Sequence, residues 1–218
     1  VGANPWMPEH AVTGVELAGV GLGRLGWSAG VAENATPDMD DRKDLYGRIE
    51  YKLGGMRLDG VEAAAGSAAW RERSLTVGAS AWSRRSAILG PTGAHLHDDD
   101  FVRAGVDLHA LVDDFLLDLV AVRQMHDAPT AKADAGQTVD LALAELTWMV
   151  HAAFFPSLRA EVSRLTAADD TDTTWLATLQ ATAVLRPNVV LRAQGNVGAV
   201  GHGDPGFRSA VLALSTAF

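Results

Sequence analysis

The 218-residue chain has no cysteine. Disulfides, thiolate metal sites, covalent haem attachment and cysteine nucleophiles are therefore excluded from its own chemistry. It also lacks a long apolar run. No stretch approaches the ~18 consecutive apolar residues that a membrane-spanning helix needs, so any crossing of a bilayer is by strands. Positive charge is scarce, with 18 Lys and Arg against 27 Asp and Glu, a net charge of −9 and an isoelectric point near 5.1. That balance argues against nucleic acid as a partner, because phosphate neutralisation needs a basic face. Aromatics make up only 6% of the residues. The chain opens on "VGANPWMPEH", with neither a start methionine nor a basic-then-apolar signal segment, and reads as a processed chain or an interior fragment.

Hydrophobic content of 48% and charged content of 21% exclude a disordered chain. Length leaves open one or two soluble domains or part of a membrane barrel. The hydrophobic pattern narrows this. In "KDLYGRIEYKLGG", Leu45, Ile49, Tyr51 and Leu53 alternate with Tyr46, Arg48, Glu50 and Lys52, which is a strand with one apolar and one charged face. The same period of two sets Val102, Ala104, Val106 and Leu108 against Arg103, Asp107 and His109. It recurs in the closing stretch "FRSAVLALSTAF". Eleven strands are predicted, at 11–24, 25–34, 43–54, 73–86, 101–112, 115–126, 137–151, 157–168, 174–187, 189–200 and 207–218, with residues 1–10 as an extracellular loop or irregular lead-in. Most are longer than the usual five or six residues of soluble sheets, a length that suits a tilted bilayer crossing.

The connections alternate in character. Acidic loops such as "NATPDMDDR", "AILGPTGAHLHDDD", "DAPTAKADAG" and "AADDTDT" take turns with short links such as "DD" at 113–114 and "RPN" at 186–188, apart from one long segment at 55–72 on the short side. Long outer loops and short periplasmic turns are the asymmetry of an outer-membrane barrel. With Phe218 at the periplasmic side, every acidic loop falls outside, and an odd number of strands before Val1 would make the total even.

Taken together, "KDLYGRIEYKLGGMRLDG", "WRERSLTVGASAWSRR", "FFPSLRAEVSRL", "LRPNVVLRAQ" and the terminal Phe218 resemble the C-terminal part of Gram-negative outer-membrane porin-like β-barrels. The resemblance implies an all-β transmembrane antiparallel up-and-down barrel of about twelve or more strands, residues 11–218 forming its C-terminal part. It implies a terminal phenylalanine presented to the barrel assembly machinery, and a porin-like passage for small polar solutes or ions in the cell outer membrane. Some related barrels instead sheath a multihaem cytochrome that carries electrons outward. Outer-membrane lipid and lipopolysaccharide are the implied partners, with a multihaem cytochrome or identical subunits as further ones. Trp27, Trp82, Trp148 and Trp175 would supply part of an interfacial girdle.

The alternation assigns an inward, pore-lining set: Glu16, Arg48, Glu50, Lys52, Arg103, Asp107, His109, Asp118, Arg159, Glu161, Arg186 and Arg192. Arg or Lys facing lipid at mid-bilayer costs about 2–4 kcal/mol, so such residues belong in a lumen. A lumen with both signs is a wetted passage with local fields; cross-strand ion pairs that plug a closed interior are the bland alternative. No catalytic residue, metal site or cofactor is assigned, and the chain is not read as an enzyme. His95 and His97 in "HLHDDD" could share a side of an extended strand as metal ligands, but acidic loop runs are usually solvated. "DMDDRKD" lacks the glycine and terminal glutamate of an EF-hand loop. The pair His151 and Ser157 merely flanks a turn, which chance would also give. Gly21, Gly23 and Gly26 mimic a dinucleotide-binding fingerprint without the helix that should follow.

The rival fold is a soluble acidic α/β protein. "VDLALAELTWMV" could form an amphipathic helix with Leu143, Leu146, Met149 and Val150 on one face, and as a strand it would put Asp140 and Glu145 on opposite faces. Against a helix through 176–194 stands Pro187.

Overall fold

The structure, a computed structural model, describes residues 14–33, 43–60, 73–90, 92–129, 136–167, 170–186, 189–199, 201 and 206–216. These form β1 (Gly14–Gly21), β2 (Leu25–Ala32), β3 (Asp44–Gly54), β4 (Ser74–Leu89), β5 (His95–Val112), β6 (Phe115–His126), β7 (Gln137–Trp148), β8 (Phe154–Ala167), β9 (Asp170–Arg186), β10 (Val189–Ala199) and β11 (Phe207–Thr216). The eleven strands make one sheet in chain order. Every neighbouring pair is antiparallel. Among the described residues there is no helix, and β1 and β11 remain the two edges of the sheet. The predicted lead-in at 1–10, the acidic stretch 38–42 and Phe218 lie outside the described residues.

The α/β rival fails at β7. Its charges oppose each other across the sheet because each has a partner on its own face: Asp140 lies opposite Arg123 and Arg164, and Glu145 opposite Asp118 and Arg159. The strand pairs Asp140 directly with Arg123 at 2.6 Å and sets Glu145 beside Arg159 on the other face.

Strand ends differ from the sequence reading at the turn side, where β1 ends at Gly21 rather than 24, β7 at Trp148 rather than 151 and β8 starts at Phe154 rather than 157, and more at the loop side. Residues 95–100, expected in a loop, belong to β5 and pair with β4 as far as Arg85 opposite Asp100 and Ile88 opposite His97. Likewise β8 and β9 continue to Ala167 opposite Asp170, so 170–173, expected in a loop, belong to β9. On the β5 extension Asp100 accepts from Arg85 across the ladder and Asp99 bonds His126 of β6, which lets strand pairing outcompete solvation.

At the opposite end the links are tight. Leu22 and Gly23 both adopt positive φ, at 52° and 69°, between β1 and β2. A Cβ on Gly23 would fall 2.0 Å from the Arg57 guanidinium, so glycine lets residues 57–58 fold back under the turn, where the Leu58 amide donates to the Gly23 carbonyl at 2.8 Å. Arg24 ties the same corner by donating to the Lys52 and Gly54 carbonyls at 3.2 and 2.9 Å.

The sheet is a single layer with an inverted burial pattern. Its only fully buried apolar residues, among those described, are Ala32, Val122 and Ala128, while Leu17, Leu179 and Leu212 are 67%, 65% and 74% exposed. Fully burying one Leu contributes about 1.5–3 kcal/mol. An eleven-stranded layer therefore leaves many such groups out of contact with one another.

Candidate functional site: the polar face of the sheet

Register decides which side chains share a face. From Glu50, the ladder runs through Gly78, Asp107, Val120, Leu143, Glu161, Leu176 and Gly198. From Lys52 it runs through Thr76, His109, Asp118, Glu145, Arg159, Thr178 and Asn196. These rows, with Glu16, Arg48, Arg103 and Arg192 on neighbouring ones, carry the residues assigned inward from sequence; Arg186 closes β9 at an irregular register beside Val189. The opposite face presents Leu17, Trp27, Ile49, Val77, Val106, Leu119, Leu158 and Leu179.

Three clusters organise the polar face. In the middle, Arg48 holds Asp107 with both terminal nitrogens at 2.5 and 2.8 Å and donates to Glu50 at 3.1 and 3.3 Å. It does so across Gly78, where a Cβ would lie 2.5 Å from the Arg48 guanidinium and 2.7 Å from the Asp107 carboxylate. Glycine is what lets two strands' side chains meet over a third. Towards the turns, His109 Nδ1 and Asp118 Oδ1 are 2.5 Å apart, and Arg159 meets Glu161 at 2.8 Å. A cavity of about 440 Å³ opens here, lined by Arg48, Glu50, Lys52, Asp107, His109 and Asp118.

The third cluster, at the loop end, was missed from sequence. Asp99, 3% exposed, accepts from the Ala128 amide at 2.9 Å and lies 2.6 Å from His126 Nδ1. His97 Nε2 meets the Ala128 carbonyl at 3.0 Å, so both backbone groups of Ala128 are held by β5. His126 also contacts Gln124, which accepts from Arg103 at 2.8 and 2.6 Å. The signal was available: Asp99 has the parity of Arg103 and Asp107, but only if β5 is extended back past Phe101.

The metal idea at 95–100 finds no support in the geometry. His95 bonds Asp98 at 2.7 Å while His97 bonds Ala128, and no group of three or more His, Asp or Glu arranged for a metal occurs among the described residues. His151 uses Nδ1 to accept from the Ala153 amide at 3.1 Å within its turn, which accounts for it structurally. Trp82 departs from its expected girdle position. It lies on the polar face opposite Tyr46, ring centroids 5.7 Å apart, whereas Trp27, Trp148 and Trp175 keep to the apolar face.

Beyond the strands, Arg73 grips Asp113 of the β5–β6 turn at 3.2 and 3.0 Å, and that carboxylate holds the guanidinium pKa above its ordinary value. No protein-family model matches this chain, and no characterised protein matches it in sequence.

Proposed function

We propose that this chain is part of a porin-like outer-membrane barrel whose polar face lines an aqueous passage for small polar solutes or ions. The single observation that carries the reading is the inverted burial: one face apolar and uncovered apart from the row Arg123, Asp140 and Arg164 near its loop end, the other crossed by Arg48, Glu50, Asp107, His109 and Asp118. Hydrocarbon suits the first face and water the second. The even alternation and the tight turns at one end are consistent with it. Closure requires β1 and β11 to be joined, directly or through further strands, which would also remove both open edges. In that setting the Arg48–Asp107–Glu50 group and the His109–Asp118 pair set the local field that a solute meets, and neither does covalent chemistry.

One observation favours a second reading, a sheath around an enclosed protein such as a cytochrome. Val120, Val122, Leu141 and Leu143 place an apolar patch on the otherwise polar face, which a body inside the barrel would cover. Planar-bilayer conductance of the purified full chain separates the two. Steady ion current, altered by Asp107→Ala, is the expected result; absence of current together with stoichiometric haem absorbance would establish the sheath. Full solubility in buffer without detergent would end both.

A further inference from the structure

The apolar face changes character between β6 and β9. On β1, β3 and β4 it carries Leu17, Ile49 and Val77, and β8 and β9 keep Leu158 and Leu179 nearer the turns, but mid-strand here the ladder sets Ala121 opposite Ala142, Ala144 opposite Ala160, and Ala160 opposite Ala177. Small side chains ringed by Val106, Leu108, Leu119 and Val162 leave two adjoining hollows of about 640 and 580 Å³ that share Ala121, Ala142 and Val162. The second hollow ends at Arg123, Asp140, Arg164 and Thr173, which follow one another across four strands on this same outward face. On the next row towards the loops stand Thr138, Thr166 and Thr171.

We infer that this surface is a seat for one membrane lipid with a phosphate headgroup, its acyl chain lying over the alanine floor and its phosphate on Arg123 and Arg164. The inference rests on the barrel reading, since it needs this face to meet lipid. Arg123 holds Asp140 through two nitrogens, at 2.6 and 3.0 Å, which fixes both side chains at the rim of the groove. Two guanidinium groups against one carboxylate leave one positive charge, and Arg123 is 60% exposed. A phosphate accepts from planar guanidinium groups bidentately, and the threonine hydroxyls supply further donors. Charge complementarity decides between a lipid and a second copy of the chain: a two-fold partner would bring the same excess charge onto this row, whereas an anionic lipid neutralises it.

The test uses the purified full chain in mixed micelles and in vesicles, with native mass spectrometry counting retained lipid. Phosphatidylglycerol is expected to be retained about fivefold over phosphatidylcholine, the effect of one net cation near a headgroup. The double variant R123Q/R164Q should abolish the preference while still integrating into vesicles, and Ala142→Leu, which fills the groove, should lower retention of both lipids. Equal retention of the two lipids by the unaltered chain overturns the inference. So does displacement by inorganic phosphate alone, which would mean a phosphate site rather than a lipid seat, or a dimer that Ala142→Leu dissociates. Failure of the unaltered chain to integrate into vesicles removes the barrel reading with it, whereas integration without lipid preference removes only the seat.

Discussion

The β3–β5 region and the β6–β8 region are built from the same alternation and agree near the turns, where Asp118, Glu145 and Arg159 keep to the polar face and Leu119 and Leu158 to the apolar one, yet further along the strands they diverge. In β3–β5 the polar face carries Arg48, Glu50, Asp107 and His109, and the apolar face carries Leu45, Ile49, Val77 and Val106. In β6–β8 the polar face carries Val120, Val122, Leu141 and Leu143, while the opposite face carries Ala121, Ala142, Ala160 and the charged row Arg123, Asp140, Arg164. Alternation alone therefore marks a strand without saying which side gathers the charges. Sidedness is imposed by the register with neighbours whose charges are unambiguous.

The sharpest way to break this comparison is to place arginine on each face in each region. Ile49→Arg, on the apolar face of β3, should destabilise the inserted protein by about 2–4 kcal/mol if that face lies near mid-bilayer. Thr76→Arg, on the polar face of the neighbouring strand, should leave the urea midpoint of vesicle-inserted protein nearly unchanged. Leu141→Arg then tests the second region: a wetted wall tolerates it as Thr76→Arg is tolerated, and a wall covered by an enclosed protein does not. Equal costs at Ile49 and Thr76 would contradict the assignment of faces.

This asymmetry also marks how far the sequence could be read. The strands and their order were legible because a period of two persists through nearly every segment. The inward set was legible wherever charge and large apolar side chains strictly alternate, as in "DLYGRIEYKL". Legibility failed where polar residues pair across strands rather than meet water. Asp99 and the rest of 95–100 read as a solvated loop because their partners, Ser86, Arg85 and His126, are remote in sequence. Trp82 read as an interfacial anchor because nothing local shows that Tyr46 lies beside it. The Arg48–Asp107 contact, 59 residues apart, was likewise invisible.

The next effect is at Gly78. A valine there would push the Arg48 and Asp107 side chains apart, and overpacking of this kind costs about 1–3 kcal/mol. Because the displaced atoms are side-chain ends, the cost should fall at the lower end, with a clear change in cation against anion permeability measured by reversal potential. An unchanged reversal potential would mean that the Arg48 group does not face the conducting path. Smaller still is Trp148→Ala. Its ring stacks on Phe115, centroids 5.9 Å apart and planes 12° apart, at the turn end of the apolar face. Loss of the stack should cost about 0.5–1.5 kcal/mol beyond the lost area, and Trp148→Phe should restore most of it.

The smallest expected effect sharpens the comparison by holding geometry constant. Arg73–Asp113 and Arg48–Asp107 are both two-pronged guanidinium–carboxylate pairs, with closest contacts of 3.0 and 2.5 Å. They differ in surroundings: the side chains of the first pair are 73% and 54% exposed, those of the second 36% and 16%. Water and salt screen the first, and ordering two long side chains cancels much of what remains. The second is sheltered by the sheet and shared with Glu50, so its coupling in a double-mutant cycle should be about 1–2 kcal/mol. Arg73→Gln should therefore leave the urea midpoint unmoved at both low and high salt, whereas Arg48→Gln should lower it. If the exposed pair proved the stronger of the two, the polar face would have to be far wetter and looser around Arg48 than its contacts imply, and the field assigned to that cluster would have to be assigned elsewhere.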